Sequence, residues 1–578
     1  VACDTETSGL HPDPPENGRV NVVSVAWRSP KGVIRTEAFP FGFGETKGGQ
    51  GRLELEANPN LSVEEWRVLL DWLGRRRLVF HGAKFDLRAL QVGTTDCEGA
   101  DLLDAFKWDT MLVSRDTDQT EDASLEALEA RIDILSMEDR AAWRESKKKR
   151  AKVNDMPWKE ARQYAATDAY VTLVAAENQL DRIESGDGDW MGIRIEFALC
   201  KVLVKMERRG IGIDAALCSQ IAMELRHWEG TIAKDLPFVP TVPKARTYFY
   251  KTLGYEAGEY TDKGTPRLDE QEVSRLVALE APHAQQYQLL KTIESARTKW
   301  YTPYAAHTGW DGRLRTDYSQ STVQTGRLGS TRVNLQAIPH DHQLPEVAAR
   351  FPTPRQLLRP REGARLWELD LSQAELRVSA RTANCESVLQ MLRDGIDVHG
   401  AIATQLFGVH PGDDEWDTLR FVGKRANFSF IFGISGKTFQ AALLKLTGKL
   451  YPLKFCNDTV RDWRRLFPEY GVTNDWFTAF ANHNGYVRLI NGRPNWFNAW
   501  DDRTKAWSWY VQSSLAELMK QWMIETEAAF PGVMLLTIHD SLVLETNDEG
   551  LVIAVQQMGE GLGSAMFDVP MIVDLKQW

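Results

Sequence analysis

The chain has 578 residues, 43% of them hydrophobic and 26% charged, with a formal net charge of −11. That length exceeds what one hydrophobic core organises, so several domains of a globular protein are expected. No run of about 18 apolar residues occurs and the N-terminus lacks a charged segment followed by an apolar one, so neither a membrane span nor a signal peptide is expected. The six cysteines (Cys3, Cys97, Cys200, Cys218, Cys385, Cys456) lack Cys-x-x-Cys spacing. A zinc site or a disulfide framework is therefore not expected, and a reducing cytosol is. The acidic balance does not exclude a nucleic-acid partner, because phosphate contacts depend on where Lys and Arg gather. The densest basic run, Lys147-Lys148-Lys149-Arg150 followed by Lys152, reads first as a solvated helix face and second as a DNA-facing patch. The chain opens at Val1 inside a strand-like run, so a natural start further upstream is expected.

Residues 1–187 alternate strand-like and helix-like segments. In the first, Asp4 and Glu6 are two apart on a strand and so project to one side. A second strand, Leu78–His81, leads into Gly82-Ala83-Lys84-Phe85-Asp86, which sets another carboxylate just past a strand end. A helical stretch from 158 to about 183 carries Tyr164 and Asp168 at i,i+4 spacing, hence on one face. For any one of these acids, surface solvation or capping is the commoner use. Together they supply the hard oxygen donors that divalent cations take. From about 188 to 308 the pattern is mostly helical, interrupted at Gly210-Ile211-Gly212-Ile213-Asp214. Lys291, Arg297 and Lys299 form a basic helix within it.

Leu366–Arg377 (LWELDLSQAELR) alternates like a strand up to Asp370. It then shows a helix start at Ser372 with Glu375 three residues on, the pattern of a capping box. Further on, Arg420, Lys424 and Phe428 lie four apart, forming one stripe that spans roughly 12 Å of helix axis. Leu535–Glu545 (LLTIHDSLVLE) folds most simply into a hairpin with Asp540 at its tip. Asp370 and Asp540 are thus two carboxylates offered on sheet edges. Brought together they would repel unless cations sat between them, and a two-metal site needs ligands for ions roughly 3.5–4 Å apart.

These three stretches resemble the polymerase motifs of the family A DNA polymerases, the group that includes bacterial DNA polymerase I and many phage replicative enzymes. Thr325–Ser330 followed by Asn334–Pro339 resembles a long signature of that family. Gly485–Arg493 is similar to its strand pair returning to the palm, and Gln512–Glu517 to a motif whose Gln touches the minor groove at the primer terminus. The N-terminal acids with Tyr164 resemble a DEDDy-type 3′–5′ exonuclease. The resemblance implies a multidomain α/β protein. An RNase H-like exonuclease domain (1–187) precedes a right-hand polymerase with a helical thumb (188–308), an antiparallel palm sheet (309–385 and 481–578) and helical fingers (386–480). It implies primer extension with proofreading, two Mg²⁺ per active site with Mn²⁺ as substitute, and primer-template DNA and dNTPs as partners. It further implies a cytoplasmic monomer without membrane attachment, closer to phage and replicative members, and it leaves any replisome or processivity partner unspecified.

Carried over to this sequence, the resemblance gives the polymerase cations to Asp370, Leu371 and Asp540, and those of the exonuclease to Asp4, Glu6, Asp86 and Asp168. Tyr164 would orient the attacking water. Gln373, Glu375, Arg420, Lys424, Phe428 and Phe432 would face the nucleotide, Glu375 as a steric gate against a ribose 2′-OH. Arg327, Arg355, Arg493, Gln512 and His539 would face DNA. Departures from the family pattern are His81 for Asn, Phe432 for Tyr, Ser508 for Asn, Ser513 for Gly and Ser541 for Glu. Ser541 and the minor-groove departures keep open a nuclease whose weakened polymerase half merely binds DNA, and a non-catalytic DNA-binding scaffold is a further reading.

Overall fold

The computed structural model describes residues 1–7, 19–41, 60–94, 98–117, 121–148, 156–185, 190–340, 344–447, 449–499 and 501–578. The N-terminal region is built on β1 (Ala2–Thr7), β2 (Val20–Arg28), β3 (Ile34–Pro40), β4 (Leu78–Phe80) and β5 (Phe106–Asp109), in the sheet order β3-β2-β1-β4-β5. The first three strands pair antiparallel and the last two join in parallel, the mixed sheet expected of an RNase H-like domain. Between β4 and β5 runs α1 (Ala83–Val92), and after β5 come α2 (Thr110–Thr117), α3 (Met137–Lys148) and α4 (Trp158–Glu184), which lies across β1–β3. Asp109 ties this corner together, accepting from the amides of Gly82 and Ala83 at the start of α1 and of Met111 and Leu112 at the start of α2. These are the orphan donors that a helix N-terminus leaves.

Helix α5 (Trp190–Arg209) is apolar on two sides. Cys200 and Val204 enter the core of the N-terminal sheet, whereas Leu199, Val202, Leu203 and Met206 enter the core beneath the C-terminal sheet. A boundary at 188 would hand α5 to the thumb, yet its packing makes it a wall shared by the two halves. The helices that follow, among them α6 (Ala215–Asp235) and α7 (Ala284–Ala296), gather round a separate core with Phe249, Tyr301 and Tyr304. It is flanked by a small sheet of β6 (Ile211–Ile213), β7 (Arg313–Leu314) and β10 (Leu358–Arg359) in the order β10-β6-β7. A ribbon of β8 (Asp317–Ser319) and β9 (Gly329–Thr331) precedes the main C-terminal sheet.

That main sheet is antiparallel throughout. Its strands are β11 (Arg365–Leu371), β14 (Met534–Ile538), β15 (Ser541–Thr546) and β16 (Val573–Gln577), in the order β14-β15-β11-β16. Alternation divides its two faces. Trp367, Leu369, Leu371, Leu542 and Leu544 pack into the largest core, while Leu366, Val543, Leu536 and Ile538 meet the core of α6 and α7. Glu368 and Asp370 therefore lie on the second face. After β11 come α8 (Ala374–Thr382), α9 (Trp416–Ile431) and α10 (Pro468–Asn484), held by Phe430, Trp463, Phe467 and Tyr470. The hairpin β12 (Tyr486–Arg488) and β13 (Pro494–Trp496) then leads into α11 (Ala506–Ala529) and α12 (Glu549–Phe567). This is the palm-and-helices arrangement that the resemblance implied.

Candidate active site

The hairpin at the end of the chain forms as its pattern requires: Ile538 pairs with Ser541, and His539-Asp540 makes a two-residue turn. His539 takes a positive φ of 54°, the left-handed geometry that lets so short a turn follow the strand twist. The turn docks on β11 through the Leu371 amide, which donates to the Asp540 carbonyl at 3.1 Å. Asp370 is placed differently from the sheet-edge expectation. It lies one residue before the end of an interior strand, paired with Ser541 on one side and Asp574 on the other.

Protein packed round the Asp370 carboxyl desolvates it, and Asp540, Glu368 and Asp574 add like charge, so it is pushed up to about 6. Glu368 is a neighbour that the motif comparison passed over. It lies two residues before Asp370 on the same face, buried, accepting from Arg355 Nη1 (2.6 Å), Trp578 Nε1 (3.0 Å) and Ser541 Oγ (3.4 Å). Against burial, Arg355 and Trp578 hold the Glu368 carboxyl below the usual range. The i,i+2 alternation of Glu368 with Asp370 was the signal for it. Ser541, where the family usually has Glu, is buried and ties β15 to this acid.

The capping box at Ser372 does not form. Helix α8 starts at Ala374 after Gln373, which adopts φ 53° and makes no side-chain cap bond. The Ser372 amide is drawn to the Ile572 carbonyl instead (2.8 Å). Glu375 is engaged elsewhere: Arg327 Nη2 donates to its Oε1 at 2.8 Å and lies 3.7 Å from Asp540 Oδ1. Gln373 Oε1 is buried beside them without a hydrogen-bond partner.

In the N-terminal sheet, Asp4 and Glu6 on β1 meet Asp168 on α4, with one carboxylate oxygen of each within 4.8 Å of the others. Trp143 of α3 donates from Nε1 to Asp168 Oδ1 at 2.5 Å, a second contact that the sequence comparison missed. Asp86 stands just outside this trio. Its Oδ1 accepts from the Thr5 amide (2.9 Å) and hydroxyl (2.7 Å), which fixes α1 against β1. Tyr164 is buried one turn before Asp168. His81 Nδ1 is 2.8 Å from Thr110 Oγ1.

A family model described as DNA polymerase family A matches residues 219–577. The chain belongs to DNA polymerase family A. It is 27% identical over 425 residues to DNA polymerase I of Rhizobium leguminosarum, which covers 67% of this chain and 39% of that protein. With the thermostable DNA polymerase I of Thermus thermophilus it shares 29% over 390 residues, 62% of this chain and 44% of the other. The chain thus spans less than half the length of these curated relatives. A solved structure titled as the POL domain of Pol1 from M. smegmatis in complex with DNA primer-template and dNTP has the same fold. Its TM-score is 0.76 at 18% identity, covering 100% of this chain and 94% of that one.

Two arginines of this family A chain are held in buried ion pairs. Arg355 is only 8% exposed, spent on Glu368 and lying over the Trp578 ring. Arg493 is 5% exposed and paired with Asp116, Glu196 and Glu517, a network completed by Lys520. Both were expected to face DNA, and both serve buried ion pairs instead. Charges left unpaired inside would be far costlier, so the partners dictate where these guanidinium groups sit.

Other expected contacts remain accessible. On α9, Arg420 reaches Asp397 in an exposed pair and Lys424 is exposed. Beneath them burial, then Lys424, pushes His399 down to about 4. Phe432 packs edge-on against Trp507, ring centroids 5.7 Å apart. The Phe428 side chain and the run Lys147–Lys152 lie outside the residues whose side chains are described. Gln512 is half-buried on α11, Ser508 Oγ donates to the Lys505 carbonyl, and buried Ser513 accepts from Asn495 Nδ2 at 2.7 Å. His539 is exposed at the hairpin tip, its amide on Gln336 Oε1 (3.3 Å). In the helical region before β7, Arg297 is paired with Glu229 and Lys291 with Glu294, leaving Lys299 exposed. No helix among the described residues is long and apolar enough to cross a membrane.

Proposed function

We propose that this chain is a DNA-directed DNA polymerase that extends a primer 3′ end by template-directed dNTP addition, with a 3′–5′ proofreading exonuclease in its N-terminal region. The observation that carries the polymerase reading is the Leu371 amide on the Asp540 carbonyl, which brings together the two distant segments that bear Asp370 and Asp540. Burial first, and then the like charge of Asp540, raise the Asp370 carboxyl, and the two acids make an oxygen donor set that suits Mg²⁺, or Mn²⁺ in its place. When bound, two such ions would make the primer 3′-OH more acidic and stabilise the departing pyrophosphate. Asp370 and Asp540 would hold them, with Leu371 keeping the two strands in register.

The remaining groups position the substrate. Arg420 would exchange Asp397 for triphosphate oxygens and Lys424 would add charge further along α9, with Phe428 and Phe432 toward the sugar and base. Gln373 and Glu375 lie at the start of α8 where the sugar would project, and Arg327, Gln512 and His539 would meet the primer-template. The M. smegmatis relative of the same fold was solved with primer-template and dNTP, which supports these partners.

For the exonuclease, Asp4, Glu6 and Asp168 fit divalent cations because their oxygens already converge. Asp86 would complete the set and Tyr164 would orient the attacking water. The division at 187, 308, 385 and 480, a monomeric state and a cytoplasmic location belong to the same reading.

One assay tests it: a primer-template incubated with Mg²⁺, with and without dNTPs. Extension is expected with dNTPs and degradation without them. Asp540→Ala should abolish extension and spare single-strand degradation, and Asp86→Ala should do the reverse. Loss of both activities from either folded variant would overturn the two-site reading, and a wild type that degrades but never extends would leave only the nuclease.

A further inference from the structure

A cleft of about 340 Å³ opens beside the N-terminal acids, and its two walls come from opposite halves of the chain. One wall carries Asp4, Asp86 and Lys84; the other is formed by Ser319, Gln320 and Ser321, at and just past the end of β8. This far wall is fixed in place. Glu207, fully buried at the end of α5, accepts from Lys84 Nζ and Arg88 Nη1 of α1 and from the Tyr318 amide of β8 (2.7 Å). Arg88 also bridges to Asp317. The helix that bears Asp86 and the strand that bears Ser319 are therefore joined through one carboxylate. Gln320 is held as well, its Nε2 on the Glu196 carbonyl (2.9 Å) and carboxylate (2.6 Å). The Ser319 and Ser321 hydroxyls, 3.4 Å apart and half-buried, are the polar groups this wall offers.

We propose that Ser319 and Ser321 form a phosphate subsite for the single strand that enters the N-terminal cleft, so that the degrading site is completed by a segment of the polymerase half. This rests on the exonuclease reading above. The chemistry follows from what the walls carry. The near wall is rich in carboxylates, which repel a polyanion wherever cations do not intervene, and Lys84 is already neutralised by Glu207. Neutral hydroxyl donors opposite can bind phosphodiester oxygens without competing for those cations, and hydrogen bonds to an ionised acceptor are the stronger kind. The subsite takes a sugar-phosphate backbone rather than a base, because two small hydroxyls offer donors but no stacking surface.

The test compares wild type with Ser319→Ala/Ser321→Ala and with Ser321→Asp, in the full chain. Degradation of a fluorescein-labelled single-stranded oligonucleotide is followed in Mg²⁺, and its binding by anisotropy with Ca²⁺ in place of Mg²⁺. The double alanine variant is expected to raise KM about tenfold with kcat nearly unchanged, Ser321→Asp to raise it further, and both to extend a primer at the wild-type rate. Degradation and anisotropy that match wild type in both variants would overturn the inference. If wild type does not degrade single strands, the exonuclease reading falls, and the anisotropy comparison alone decides this one: weaker binding by the variants supports the subsite and equal binding overturns it.

Discussion

Arg327 and Glu375 are joined by an ion pair of 2.8 Å, and the same guanidinium nitrogen lies 3.7 Å from Asp540 Oδ1. A loop residue, a helix residue and the hairpin tip thus share one charge network at the mouth of the proposed polymerase site. Glu375 makes no capping bond, so Glu375→Ala removes only a partly exposed pair, worth roughly 0–1 kcal/mol. The melting temperature should barely move, while rNTP incorporation relative to dNTP should rise. Competition of rNTP against dNTP in primer extension measures this, and an unchanged ratio would sink the gate assignment.

Arg493→Ala should behave as a stability variant. Burial works against its charge, but Asp116, Glu517 and Glu196 outweigh that and keep the guanidinium ionised. Removing it takes the guanidinium from three buried carboxylates, of which Glu196 and Glu517 keep Lys520, a loss of about 3–5 kcal/mol by analogy with broken buried pairs. Denaturant unfolding should show the drop. The salt dependence of DNA affinity, measured on the folded fraction, should keep its wild-type slope, whereas loss of a phosphate contact would flatten it by about one unit.

The Asp370 carboxyl, at about 6 against an ordinary 3.8, binds its proton more tightly in the folded chain. Its contribution to stability is therefore fully present below about pH 4 and is lost as pH rises through about 6. Metal-free wild type should lose more melting temperature between pH 4.5 and 7 than Asp370→Asn does. Added Mg²⁺ should restore stability at pH 7 and have little effect at pH 5, where the proton competes. Parallel pH profiles for the two proteins would contradict the assignment.

Trp143→Phe deletes the indole donor to Asp168 and keeps most of the packing. Single-strand degradation should fall several-fold with a higher Mg²⁺ requirement, since the carboxylate loses the bond that orients it. Primer extension should be unaffected. A uniform fall in both activities would mark a folding defect instead.

The hairpin from Leu535 to Glu545 was legible in the sequence because both strands and their turn lie within a few residues, so alternation and a turn between apolar runs suffice. The same holds for β1 with Asp4 and Glu6, and for the i,i+4 pair Tyr164 and Asp168 on α4. The order of these motifs was enough to place the chain among family A polymerases. What the sequence could not decide is which charges are spent inside. Arg327, Arg355 and Arg493 look alike as exposed-type residues beside motifs, yet only Arg327 stays near solvent at the site. The partners of Arg493 sit on α2, α5 and α11, and that of Arg355 on β11. Likewise the capping pattern at Ser372 and Glu375 was locally sound but was overridden by Ile572 and Arg327, residues brought there by β16 and by the loop before β9. Local geometry follows from neighbours along the chain, whereas desolvation and ion pairing depend on groups that only the tertiary fold brings within 3 Å.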